Sequence, residues 1–157
     1  MLAVPLFAAN ALVIANSVAE AGNQGFVGMV AVTEVVRNRM ERRYQSDGTV
    51  HGTIFKAKQF SWTNDSTPWR SRIFGLRWDD PRVQLAQRAW QRVFGDDDPT
   101  LGRSDITKGA VLYHTIQPPW PNLDWPPRWA TAETVKETAR IGDHVFYDDI
   151  PAGGKKP

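Results

Sequence analysis

Apolar positions crowd into the first forty residues and become periodic or sparse after that. From Leu6 to Ala21 the chain is helix-compatible and uncharged up to Glu20, the pattern of a buried core helix, and Gly22 stands where a left-handed C-terminal cap would end it. A second helix is predicted from about Gly25 to Arg43. Its first half, Phe26 to Val36, is apolar except at Gly28, Thr33 and Glu34, which marks a central helix. Its second half, Arg37 to Arg43, turns polar and basic and reads as a solvated face, with contact to an anionic polymer as the alternative. Glu34, with Arg37 and Asn38 three and four residues on, reads as part of a surface pair. A third helix is the best marked, with Asp80 as N-cap, Pro81 in the first position, Val83, Ala86, Trp90 and Val93 at near-helical spacing, and Gly95 as the stop.

Tyr44 to Asp79 is rich in Gly, Ser, Thr, Asp and aromatics without a clear period, so loops with short irregular elements are expected there. After Asp96-Asp97-Asp98-Pro99 come two strand-like segments, Ala110 to Thr115 and Val135 to Asp148, the second broken at Gly142-Asp143 as a hairpin would be. Between them, Gln117 to Trp129 holds five prolines together with Trp120, Trp125 and Trp129, which predicts a stiff, ordered loop. The expected class is α+β: one mainly helical domain over residues 1–150 with a small antiparallel sheet of about three strands, and a flexible tail over 151–157.

A chain of 157 residues suits a single core, and 41% hydrophobic with 23% charged residues excludes disorder and fibrous repeats. Nineteen basic against seventeen acidic residues leave +2, too little for charge alone to suggest nucleic acid as a partner. Met1 to Ala19 carries no charge, yet it lacks a basic n-region and is interrupted by Pro5, Asn10, Asn16 and Ser17. Neither a cleavable signal peptide nor stable membrane insertion is expected, and a monomer made in the cytoplasm is.

The chemistry narrows by elimination. Without cysteine there is no thiol nucleophile or thiolate-bound zinc, and no G-x-S-x-G elbow or phosphate-binding glycine loop occurs. His51, His114 and His144 with an aspartate could hold zinc, but no two share the short spacing of H-E-x-x-H, so no metal and no cofactor are expected. Carboxylate acid–base chemistry on a substrate held by aromatic side chains remains. Glu20 closes an otherwise uncharged helix before the turn Gly22-Asn23-Gln24-Gly25. Partial desolvation there would raise its pKa and keep it protonated, as a general acid requires; equally, it could cap the next helix. Seven tryptophans add a second clue, since sugar rings stack on indoles. Trp90 reads as core, whereas Gln59-Phe60-Ser61-Trp62-Thr63 and Trp120, Trp125 and Trp129 lie in loop-like segments and either line a groove or fill the core.

Four blocks of the sequence carry a family resemblance: AEAGNQGFVGMVAVTEVVRNRM from Ala19 to Met40, QFSWT from Gln59 to Thr63, GAVLYHT from Gly109 to Thr115, and RIGDHVFY from Arg140 to Tyr147. In this order they resemble the signature blocks of the SleB-type cell wall hydrolases, which include spore-cortex-lytic enzymes and phage lysins. The resemblance implies a lysozyme-like, mainly helical fold and cleavage of the glycan strand of peptidoglycan, in several members as a lytic transglycosylase. The family's catalytic glutamate matches Glu20, the first Glu of an E-A-R-G-E-P-like block. This sequence departs from that block, with Gly22 for the Arg, Gln24 for the second Glu and Gly25 for the Pro.

The expected activity is protonation by Glu20 of the oxygen between N-acetylmuramic acid and N-acetylglucosamine, followed by closure of a 1,6-anhydro ring. The alternatives are a hydrolytic muramidase, for which Asp65, Asp124 and Asp143 are the candidate second carboxylates, and a glycan-binding wall protein without turnover. Gln59, Ser61, Trp62, Tyr113, His114, His144 and Tyr147 are expected to shape the substrate groove. The bare architecture suits a phage-type endolysin that acts on the wall after release.

Overall fold

The structure is a computed structural model and describes residues 8–56, 59–64, 68–95 and 99–150. The residues of the expected tail, the Asp96–Asp98 run and Asp65 lie outside that set. Among the described residues run five helices, α1 (Ala9–Ala21), α2 (Gly25–Arg42), α3 (Val50–Ile54), α4 (Pro68–Phe74) and α5 (Pro81–Phe94), followed by strands β1 (Leu112–Thr115), β2 (Val135–Ile141) and β3 (His144–Asp149). Single 3-10 turns occur at Ser61–Thr63 and Arg128–Thr131.

Helices α1, α2 and α5 pack on one another and make the core. The uncharged run at the start of the chain forms α1, in which Leu12, Val13, Ile14 and Ala15 are all buried. Its two buried polar interruptions are satisfied inside the protein: Ser17 donates to the Met29 carbonyl and Asn16 accepts from the Trp62 indole. None of the helices among the described residues is long and apolar enough to cross a membrane. Gly22 is not the left-handed cap expected of it, since it keeps right-handed helical angles (φ −59°, ψ −21°). The reversal falls at Gly25 (φ +72°), and Gly22 is required for another reason: a Cβ there would sit 2.5 Å from the Val18 carbonyl oxygen.

The larger correction concerns α2, which is buried continuously from Gly28 to Arg39. Its basic half is no solvated face. Arg37 donates to the Ser104 carbonyl (2.6 Å), Asn38 to Ala110 (2.9 Å), Arg39 to Val111 (2.6 Å) and Arg42 to Gly109 (3.1 Å) and Asp148 (2.6 Å). Glu34 is fully buried and accepts from the Ser104 hydroxyl, the Ile106 and Thr107 amides and the Thr107 hydroxyl, all at 2.6–3.0 Å. The polar residues of α2 thus replace a sheet partner for the irregular run 104–111 and fix the chain as it enters β1.

Helix α5 follows its sequence signals: the Asp80 carboxylate accepts from the Arg82 amide, Pro81 opens the helix, and Val83, Ala86, Ala89 and Val93 face the core. The sheet is antiparallel in the order β1-β3-β2, with Tyr113 opposite Phe146 and Thr115 opposite His144. Phe146, wholly buried, joins the helical core, while Val145 and Tyr147 face a small second cluster with Val135. Each large apolar side chain buried in this way contributes about 1.5–3 kcal/mol.

Candidate active site

Glu20 lies on the last turn of α1, and the polar residues of α2 bring β1 up beside it. Tyr113 of β1 donates its hydroxyl to Glu20 Oε2 at 2.7 Å. Glu20 does not cap α2, whose N-cap is Gln24 and carries no side-chain cap bond. The carboxyl group is half-buried, and desolvation pushes its pKa up from 4.5 to about 6, against the smaller opposing effects of the Tyr113 hydrogen bond and the Arg39 charge. Tyr113 in turn is raised well above the ordinary phenol range by burial and by the Glu20 charge, so it stays a donor.

Two clefts meet at Glu20, Ser61 and Tyr113. The larger, about 740 Å³, is walled by Arg39, Phe55, Gln59, Phe60, Thr63, Asn64 and Arg70. The smaller, about 440 Å³, is walled by Ala19, His114, Thr115, Pro119, Trp125, Pro127, Trp129 and His144. A third hollow of about 400 Å³ continues from Arg39, Gln59 and Tyr113 towards Tyr44, Trp129 and Asp149. The three hollows adjoin at Tyr113 as one connected groove, and Glu20 faces the first two of them.

Most of the residues expected to line a groove do so. Gln59 accepts from Arg39 and donates to Gln45, and so forms the wall between the first and third hollows. Ser61, Tyr113, His114 and His144 line the smaller cleft. Trp62 does not line the groove: it is 2% exposed, its indole donates to Asn16 of α1 at 2.8 Å, and its ring packs between Phe55 and Phe74. Within a 3-10 turn the side chains of neighbouring residues diverge, so Ser61 faces the groove while Trp62 pins the segment to the core. Tyr147 lines none of these hollows either. It is 8% exposed and donates to His114 Nε2 at 2.8 Å, while His114 Nδ1 donates to the Thr115 carbonyl at 2.7 Å.

Of the candidate second carboxylates, Asp124 is exposed and lines neither cleft that holds Glu20. Asp143 is also exposed, and Gln24 clasps it: the Gln24 amide donates to Asp143 Oδ2 (3.0 Å) and its carbonyl accepts from the Asp143 amide (2.9 Å). Asp65 lies outside the described residues. No cluster of three metal-ligating side chains occurs among the described residues, and His51 sits on the surface against Phe55. Sequence reasoning missed Arg39 as a groove residue. The signal was its place within the mostly apolar α2, which argues for a buried cation with partners.

The family model described as Cell Wall Hydrolase matches residues 23–147. The fold is similar to the catalytic domain of the germination-specific lytic transglycosylase SleB from Bacillus anthracis, at 21% identity over 89% of this chain and 94% of that one, with a TM-score of 0.59. It is also similar to the catalytic domain of the Bacillus cereus SleB protein, at 21% identity over 89% and 90%, with a TM-score of 0.57. A comparison with curated protein sequences finds no match.

Proposed function

The chain belongs to the cell wall hydrolase family, and from that premise we propose that it is a peptidoglycan glycosidase working as a lytic transglycosylase with Glu20 as both acid and base. One observation carries the reading: among the described residues Glu20 is the sole carboxylate lining the two clefts that it faces. With a pKa of about 6 it holds a proton in mildly acidic medium, well above the range of an ordinary carboxylate. The Tyr113 hydroxyl occupies Oε2, which leaves the acidic proton on Oε1.

Oε1 gives that proton to the glycosidic oxygen, and the bond from that oxygen to muramoyl C1 breaks with its electron pair staying on the departing sugar. The resulting oxocarbenium-like centre is captured by the muramoyl 6-hydroxyl. Its proton returns to Oε1, which restores the enzyme and closes the 1,6-anhydro ring without water. A hydrolase would need a second carboxylate as nucleophile or to activate water.

Digestion of peptidoglycan in ¹⁸O-labelled water tests this. The expected products are anhydromuramoyl ends free of label, and label in most muramic acid ends would overturn the transglycosylase reading in favour of hydrolysis. Glu20→Gln, which keeps shape and loses the proton donor, is expected to lower lysis by about 10²–10⁴-fold. Undiminished lysis by the folded variant would remove Glu20 from the chemistry, and intact glycan strands after wild-type digestion would leave a binding protein.

A further inference from the structure

The two clefts that meet at Glu20 differ in charge. Among the described residues that line the smaller one, Glu20 is the only carboxylate and there is no lysine or arginine; Trp125, Trp129, Pro119 and Pro127 supply apolar surface. This surface is preorganised. The Trp125 indole donates to the Thr115 carbonyl (2.9 Å), both tryptophans pack edge-on or tilted against His114 at 5.3 and 5.7 Å, and Trp129 also packs on Tyr147 at 5.5 Å. His144 stands on the same wall with its edge on Tyr113. It is 4% exposed, and its Nδ1 is buried with no hydrogen-bond partner. Burial holds it below the ordinary imidazole range, so it meets a ligand as a neutral group. A neutral ring with its Nδ1 lone pair sealed in the wall carries its proton on Nε2, a single donor suited to a hydroxyl or an amide carbonyl.

The larger cleft is cationic. Arg39 is held there by neutral acceptors, Gln59 and the Val111 carbonyl, so its charge is not cancelled by a hydrogen-bonded carboxylate. The two sugars of the glycan strand differ in the same sense. N-acetylglucosamine is neutral, whereas the muramoyl residue carries a lactyl group that ends in a carboxylate or an acidic peptide.

We propose that the cleft of Trp125, Trp129 and His144 is the subsite for the neutral N-acetylglucosamine on the leaving side of the bond, and that the cleft of Arg39 takes the muramoyl residue, which fixes the direction of the strand. This rests on the glycosidase reading and adds the strand's polarity to it. Pyranose stacking on an indole and one hydrogen bond from His144 hold the leaving sugar, while the charge of Arg39 repels nothing and attracts the lactyl side.

The test uses full-length Glu20→Gln protein, which binds without turnover, and two probes: β-1,4-linked tri-N-acetylglucosamine and N-acetylmuramyl dipeptide. Indole N–H resonances, assigned through Trp125→Phe and Trp129→Phe, are followed by NMR. The trisaccharide is expected to shift the Trp125 signal, and the muramyl probe is expected to leave it in place and to move the side-chain signals of Arg39 and Gln59; Trp129, which also borders the hollow of Arg39, is not used to discriminate. His144→Phe, which keeps the ring contact with Tyr113, is expected to weaken the trisaccharide about tenfold, the loss of one hydrogen bond. A shift of the Trp125 indole by the muramyl probe, by both probes or by neither would overturn the assignment. Lysis by the wild-type enzyme is measured alongside, so a wrong strand direction with intact Glu20-dependent lysis is distinguished from failure of the glycosidase reading itself.

Discussion

Glu20 is held in a state that its own chain opposes. Its pKa rises from 4.5 to about 6 because the folded protein desolvates the carboxylate more than Tyr113 and Arg39 compensate. The charged form is therefore disfavoured by folding: stability is full below about pH 4.5 and falls as the pH rises through 6, by about 2 kcal/mol in all. Glu20→Gln removes that loss, so its melting temperature should gain on the wild type between pH 4 and pH 8, as read by calorimetry at both. Activity should mirror this with an alkaline limb near pH 6, since the acid must carry its proton. The Tyr113 hydroxyl favours the charged form, and Tyr113→Phe should move the limb upward while lowering the maximal rate. A limb that stays in place in that variant would separate Tyr113 from the titration of Glu20.

Among the elements, the turns carry as much of the architecture as the helices do. Gln24, in the turn between α1 and α2, holds Asp143 in the turn between β2 and β3 through two hydrogen bonds. Gly142 between them has φ +56°, and any Cβ there would meet Gln24 Oε1 at 2.4 Å. The family's E-A-R-G-E-P-like block has a glutamate where this chain has Gln24, and the clasp shows why an amide suits this chain: a carboxylate would face Asp143 Oδ2 and could not donate to it. Gln24→Glu should destabilise the protein by about 1 kcal/mol at neutral pH. Asp143→Asn should restore most of that loss, which a double-mutant cycle by denaturant titration measures. The predicted elements themselves were legible because their signals are local: the Asp80-Pro81 start of α5 and the break at Gly142-Asp143 between β2 and β3. The basic half of α2 was misread for a matching reason. Arg37, Arg39 and Arg42 look solvated when only their own helix is considered, and their acceptors are carbonyls 67 or more residues away that carry no side-chain signature.

At the scale of the whole molecule, the groove lies where the helical layer meets the sheet, and the core runs directly beneath it. Trp62 belongs to that core. Trp62→Ala should cost about 3–5 kcal/mol and lower the melting temperature by roughly 10 °C, whereas Ser61→Ala beside it should alter substrate binding with little change in melting. Glu20 as a candidate could be read from its uncharged helix and from the family blocks, but its hydrogen-bond partner could not. Tyr113 meets it from a separation of 93 residues, through a strand that is positioned by α2. Which aromatic rings face the groove was likewise beyond composition, since Trp62 and Ser61 are neighbours in one short turn and point to opposite sides of it.

That long separation also bears on any shortened form of the chain. A nascent chain that has delivered α1 and α2 already contains the acid, but not the hydroxyl that orients it, nor the carbonyls at 104–111 that satisfy Arg37, Arg39 and Arg42. Without residues 104–111 four buried polar side chains of α2, Glu34, Arg37, Asn38 and Arg39, are without their acceptors or donors. A fragment that ends before residue 104 therefore carries Glu20 without the Tyr113 hydroxyl and without the β1 side of the two clefts.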